Sequence, residues 1–173
     1  MRAKADLRSG AGEAKIDLDG RAVSVRQETR YPWDGSVRIT VALESKGEVA
    51  LHVRVPGWVQ NLPVPTDLYR FAETGDAKVV IRVNGKHAAL DLDKGFARIR
   101  RVWKKGHTVE VVFPMDARRV TAHPLVKDDE GFVAVERGLL VYCAEGTDNG
   151  GKALNIILPD KTVLRPEERT SLL

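Results

Sequence analysis

Val37-Arg-Ile-Thr-Val-Ala-Leu-Glu44 and, five residues on, Val49-Ala-Leu-His-Val-Arg-Val55 decide the fold. In the first run Val37, Ile39, Val41 and Leu43 point one way, while Arg38, Thr40, Ala42 and Glu44 point the other. In the second, Val49, Leu51, Val53 and Val55 alternate with His52 and Arg54. Successive side chains of a strand leave opposite faces, so a period of two sets one face on a core and the other in water. Pro56-Gly57 then stops the second run, because proline has no amide proton for a ladder and glycine tolerates a turn.

The same grammar extends outward. Ala14 to Leu18 and Arg21 to Gln27 flank Asp19-Gly20, and Val79, Ile81 and Val83 lead into Asn84-Gly85. Both dipeptides suit two-residue hairpin turns. Gly95-Phe-Ala-Arg-Ile-Arg-Arg-Val-Trp-Lys-Lys-Gly106 reads as another hairpin-like unit, and Val109, Val111 and Phe113 form a strand ended by Pro114. Only Thr66 to Thr74 offers a helix candidate, of one turn or two within a long loop. Many short strands parted by turns predict an all-β chain, an antiparallel, jelly-roll-like β-sandwich.

Around Pro114 the character changes. Phe132 to Glu136, Gly138 to Ala144 and Leu154 to Leu158 are three further strand candidates beyond the charged turn Lys127-Asp-Asp-Glu-Gly131. The expected division is a β-sandwich domain over 1–113 and, over 114–173, part of a second β-sandwich or an extension of the first. The second segment is too short for an independent sandwich with its own core. Its apolar residues, Phe132, Val133, Leu139, Leu140, Val141, Ile156, Ile157 and Leu158, are therefore expected to face water or another copy. Self-association, or a soft C-terminal third, is the expected result.

Composition narrows the function. With 43% hydrophobic and 30% charged residues the chain reads as globular and not disordered. No apolar run approaches the roughly 20 residues of a membrane span. Met1 to Arg8 has basic residues without an apolar core, so it does not read as a signal peptide. The net charge of +4 is dispersed, and the densest basic stretch (Arg98, Arg100, Arg101, Lys104, Lys105) belongs to no nucleic-acid-reading module. It reads as a solvated strand face and turn. Neither a membrane nor a nucleic acid is expected as a partner.

Few residues could carry chemistry. Cys143 is the only cysteine, so no intrachain disulfide is possible, and its apolar run Leu139-Leu-Val-Tyr-Cys143 predicts a buried, inert thiol. His52, His87, His107 and His123 stand at no ligand spacing. The pairs Asp17/Asp19, Asp91/Asp93 and Asp128/Asp129 fall at turns, where aspartate satisfies backbone donors. There is no glycine-rich phosphate loop and no serine nucleophile elbow. Catalytic, cofactor and metal residues are thus all expected to be none. Trp33, Trp58 and Trp103 are the candidate glycan contacts, since an indole face stacks on the apolar face of a sugar. Equally, all three lie within three residues of proline or glycine at strand ends, which suits plugs for sandwich corners.

Tyr31-Pro-Trp-Asp-Gly35, Val55-Pro-Gly-Trp58, Val83-Asn-Gly85, Trp103-Lys-Lys-Gly106 and Val141-Tyr-Cys-Ala-Glu-Gly-Thr-Asp-Asn149 are individually modest motifs. In this order they resemble the C-terminal β-sandwich region of the β-L-arabinofuranosidase-like glycoside hydrolases, families 127 and 146, from about Ala5 to the end. Leu139 stands where that family usually has proline. The resemblance implies that the chemistry lies in a preceding catalytic (α/α)6 barrel, with a cysteine nucleophile held on zinc by further cysteines and a glutamate. Zinc is then expected only in that barrel, and no catalytic residue of the family carries over to a position here. The implied substrate class is plant glycans containing L-arabinofuranose. The implied source is a soluble bacterial protein whose parent is secreted or periplasmic.

Two readings follow. One is a structural accessory domain that packs against the catalytic barrel. The other is a carbohydrate-binding module with residual glycan affinity. Burial of the three tryptophans favours the first, and their exposure on one plane the second.

Overall fold

Period-two runs become strands here wherever another edge is free to pair with them. In a computed structural model of the chain the described residues are 10–18, 20–43 and 47–167. The N-terminal segment Met1 to Arg8, the turn residue Asp19 and Glu44 lie outside them. In chain order the strands are β1 Gly12–Asp17, β2 Ala22–Thr29, β3 Ser36–Leu43, β4 Gly47–Arg54, β5 Tyr69–Phe71, β6 Val80–Val83 and β7 Lys86–Ala88. They continue with β8 Leu92–Asp93, β9 Phe96–Trp103, β10 His107–Val112, β11 Ala117–Ala122, β12 Ala134–Arg137 and β13 Leu140–Tyr142. Every pairing among them is antiparallel, and the chain is all-β.

Two units divide the chain, one drawn from Met1–Val59 and Asp76–Pro114, the other from Gln60–Gly75 and Met115–Leu173. Residues 60–75 thus cluster with the second unit although they lie inside 1–113. In the first unit a six-stranded sheet, β1-β2-β3-β10-β6-β7, accompanies a three-stranded sheet, β4-β9-β8. The core is drawn from both. Ile39, Val41 and Leu43 of β3 and Val109 and Val111 of β10 are buried, as are Leu51 and Val53 of β4 and Ala97, Ile99 and Trp103 of β9. Val37 and Val49, at the starts of their runs, are only half-buried. The Trp103 indole N–H donates to the Val49 carbonyl at 2.8 Å, so this large side chain enters the core with its one polar atom satisfied.

Turns follow the residue chemistry. Asn84 and Gly85 have φ of 50° and 76°, the left-handed pair that a two-residue hairpin needs, and they join β6 to β7. The 95–106 unit differs from the expected hairpin. Its strands β9 and β10 lie in different sheets, and the hairpin partner of β9 is the preceding β8, through Lys94 and Gly95 at φ 50° and 78°. At Gly95 a Cβ would meet only Arg54 Nη1, the movable end of a flexible side chain, at 2.6 Å, so it is the left-handed backbone that calls for glycine there.

The second unit holds a four-stranded sheet, β13-β12-β11-β5. Its centre, β11, falls where no strand is expected from sequence. The helix candidate Thr66 to Thr74 is instead strand β5, whose Tyr69, Arg70 and Phe71 pair with Ala122, Thr121 and Val120. Three residues gain more from a free strand edge than from one isolated helical turn, which closes a hydrogen bond at high entropic cost. Phe132 to Glu136 contracts to 134–137, and Gly138 to Ala144 to 140–142. Leu154 to Leu158 is not a strand: a 3-10 turn spans Ala153–Asn155 and irregular chain follows.

Candidate functional site

The three tryptophans separate by environment. Trp103 is 0% and Trp58 6% exposed, while Trp33 is 65% exposed. Trp58 follows Pro56 in a short 3-10 turn, Gly57–Gln60, and meets Phe113 edge-on with ring centroids 6.0 Å apart. Tyr31 meets the same Phe113 edge-on at 6.2 Å. This aromatic cluster closes one end of the first unit, and burial pushes the Tyr31 phenol above its ordinary value against an opposing contribution from Trp58. Trp58 and Trp103 are therefore core, and neither presents a face to a ligand. Trp33 stands in the turn between β2 and β3, with its amide donating to the Arg30 carbonyl at 2.9 Å.

A cleft of about 450 Å³ lies beside that turn, lined by Thr29, Arg30, Asp34, Arg38 and Glu110 among others. Its charges are already matched: Arg38 lies 3.3 Å from Glu110, and Arg30 3.6 Å from Asp34. Trp33 does not line it, so no aromatic floor accompanies these polar groups.

Several residues of the types that most often do catalysis are occupied with structure. Asp17 Oδ1 accepts from the Gly20 amide at 2.7 Å, Asp91 pairs with Arg98 at 2.8 Å, and Asp129 Oδ2 accepts from the Tyr69 hydroxyl at 2.9 Å. His107 Nδ1 accepts from the Lys104 amide, and His123 Nδ1 from the Leu125 amide. Cys143 corrects an expectation: it is exposed, because β13 ends at Tyr142 and the chain leaves the sheet before the thiol. Among the described residues no three His, Cys, Asp or Glu side chains come together as a metal site. One exposed thiol cannot supply the thiolates of a cysteine-rich zinc site, so these residues do not fit that metal and no step runs through it here.

The second unit contains polar groups that the sequence did not single out. Arg118 of β11 stacks on Phe71 and donates to Asn61 Oδ1 at 2.7 Å and to the Glu73 carbonyl at 3.0 Å. Across the ladder stands Glu136, whose carboxyl is pushed up by burial and pulled back by Arg118. Burial likewise lowers the Arg118 guanidinium, against Asp116, Glu136 and Glu73. Arg119, buried, donates to the carbonyls of Pro159 and Thr162 and lies 3.5 Å from Glu73. These contacts fasten loop and tail to a strand and meet no catalytic geometry. Facing water are Leu125, Phe132, Leu139, Val141, Leu154 and Ile157, the last two 85% and 86% exposed. No helix among the described residues is long and apolar enough to cross a membrane.

Comparison with known proteins gives these features a setting. Residues 10–115 match the middle domain of the family 127 β-L-arabinofuranosidases, and residues 117–169 match the C-terminal domain of glycoside hydrolase family 127. A non-reducing end β-L-arabinofuranosidase of Bifidobacterium longum is 35% identical over 143 residues, covering 80% of this chain and 19% of the relative. Two solved family 127 structures superpose with a TM-score of 0.74. One is a β-arabinofuranosidase at 40% identity, covering 80% of this chain and 22% of its own. The other is a β-L-arabinofuranosidase from Geobacillus stearothermophilus T6 at 39% identity, covering 87% and 21%. The chain spans about a fifth of the length of these relatives. By sequence along nearly all its described length, and by fold, the chain belongs to glycoside hydrolase family 127.

Proposed function

We propose that this chain is the non-catalytic accessory part of a β-L-arabinofuranosidase-like glycoside hydrolase, supporting a catalytic (α/α)6 barrel that carries the cysteine, the glutamate and the zinc. The observation that carries this reading is the match to a middle and a C-terminal family domain over about a fifth of the relatives' length. The structural contacts of Asp17, Asp91, Asp129, His107 and His123 support it. So do the exposed apolar side chains of the second unit, which are the kind of surface that another domain covers. The substrate class of the parent is L-arabinofuranose-containing plant glycan. An aryl β-L-arabinofuranoside assay of the purified chain, with metal analysis, tests the reading: no turnover and no stoichiometric zinc are expected, and turnover above blank overturns it.

Exposure of Trp33 favours one alternative, a carbohydrate-binding module with residual glycan affinity. Affinity electrophoresis in arabinan decides between them. Retardation of the native chain that W33A abolishes establishes binding, and equal mobility with and without arabinan leaves the supporting role alone.

A further inference from the structure

Strand β9 puts an arginine where a core residue would stand. Ala97, Ile99 and Trp103 are buried, and alternation places Arg101 on their face, with Arg98, Arg100 and Val102 on the other. The two outward arginines are neutralised, Arg98 at 2.8 Å from Asp91 and Arg100 at 3.1 Å from Glu48. Arg101 has no carboxylate within ion-pair distance among the described residues. Its guanidinium lies over the Trp103 ring, 5.6 Å from the centroid, and its Nε is buried without an acceptor. Buried charged donors are normally matched, because losing water without gaining an acceptor is costly.

The same place opens to water. Strand β8 pairs only with Phe96 and Ala97, so the far part of β9 has no strand on that side among the described residues. A cleft of about 660 Å³ lies there, lined by this part of β9 and by the edge strand β7. Lys86 of β7 stands opposite buried Val83, which sets it on the core face, and it too has no carboxylate partner among the described residues. His87 and Asn84 also line the cleft, and none of the described lining residues is acidic.

We propose that this cleft is a binding site for a small oxyanion, with Arg101 supplying a planar guanidinium fork and Lys86 a second positive charge. The fork matches the geometry of a carboxylate or a phosphate, and an ammonium adds a point charge to either. Two sources share this chemistry, the carboxylate of a uronic acid unit and free phosphate. The site is independent of the supporting role argued above, and Trp33 takes no part in it.

The test is calorimetric titration of the chain at low ionic strength with inorganic phosphate, with D-galacturonate and with uncharged L-arabinose. It is paired with NMR of the indole N–H signals. Saturable binding of at least one anion, no heat from L-arabinose, and a shift of the Trp103 indole signal are expected. Preference for galacturonate assigns the site to sugar acids, and preference for phosphate to the free ion. R101Q and K86Q are each expected to weaken binding about tenfold or more, the loss of a charge-assisted hydrogen bond. R98Q, which removes a guanidinium spent on exposed Asp91 and outside the cleft lining, is expected to leave affinity within about twofold. If R101Q fails to fold, K86Q on the exposed edge strand carries the comparison. Absence of saturable binding, or equal weakening by R98Q and K86Q, overturns the proposal.

Discussion

The guanidinium carbon of Arg118 lies 3.4 Å from the centre of the Phe71 ring. One residue belongs to β11 and the other to the three-residue strand β5. The same guanidinium reaches Asn61 and the Glu73 carbonyl, so one side chain closes the whole excursion from 60 to 75. Asn61 adopts φ of 63°, and its Oδ1 also accepts from the Gly75 amide at 3.1 Å, which completes the clasp.

R118A should therefore lower stability by about 2–3 kcal/mol, the joint loss of a stacked cation and two hydrogen bonds. R118K should recover only part, since a compact ammonium lacks the planar guanidinium that stacks on the ring. Urea unfolding measures the cost, and hydrogen exchange should show faster amides at 69–72. A cost no larger than that of an exposed arginine would disprove the clasp.

Leu51 is buried in β4, whereas Thr40 of β3 stands between Arg26 and Thr108 on the outer face of its sheet. L51A should cost roughly 2–5 kcal/mol and T40A a fraction of that. Equal costs in thermal or urea unfolding would mean that the alternating residues do not share one core.

Glu136 makes stability pH-dependent in an uncommon direction. Burial outweighs Arg118 and raises its carboxyl above the ordinary value of 4.5, so the folded state holds this proton more readily than the unfolded chain does. Ionisation then counts against folding above the raised value, and the penalty is relieved as pH falls through it towards 4.5. E136Q should be at least as stable as the native chain at neutral pH, with the difference vanishing in acid. Parallel melts of the two proteins across this range check it, and a variant destabilised only at neutral pH would reverse the sign.

Exposed Leu154 and Ile157 predict self-association of the chain at high concentration. Light scattering should show mass above that of one chain, reduced by L154D/I157D, and hydrogen exchange should be faster after Pro114 than in the first unit. A monomer at every concentration, with uniform protection through Leu158, would show that these side chains need no cover.

Alternation made the first unit legible. Runs 37–43 and 49–54 and strand β10 could be read because their apolar residues fall at every second position, and the turn at 84–85 because Asn-Gly suits its left-handed backbone. Strand β11 could not. Arg118 and Arg119 are adjacent and both spent inward, one on an aromatic ring and the other on distant carbonyls, so the pattern of a half-buried strand is erased. Without β11, the edge that makes 69–71 a strand was invisible too. Leu154 to Leu158 misled in the opposite sense, for an apolar run becomes a strand only beside a free edge. Trp33, Trp58 and Trp103 shared the same local signature, and only tertiary packing separated one from the other two. Arg101 was read as part of a solvated basic stretch, since strand parity alone does not reveal which face meets a cleft.

The passage of the chain from β3 to β4 carries it out of one sheet and into another, so β4 does not pair with its sequence neighbours. Its partner β9 appears about fifty residues later. At the usual pace of roughly 5–20 residues per second, a ribosome needs about 2–10 s to supply it. For that interval Leu51 and Val53 lie on a strand that can find no native mate, so their apolar side chains wait uncovered until β9 has been made.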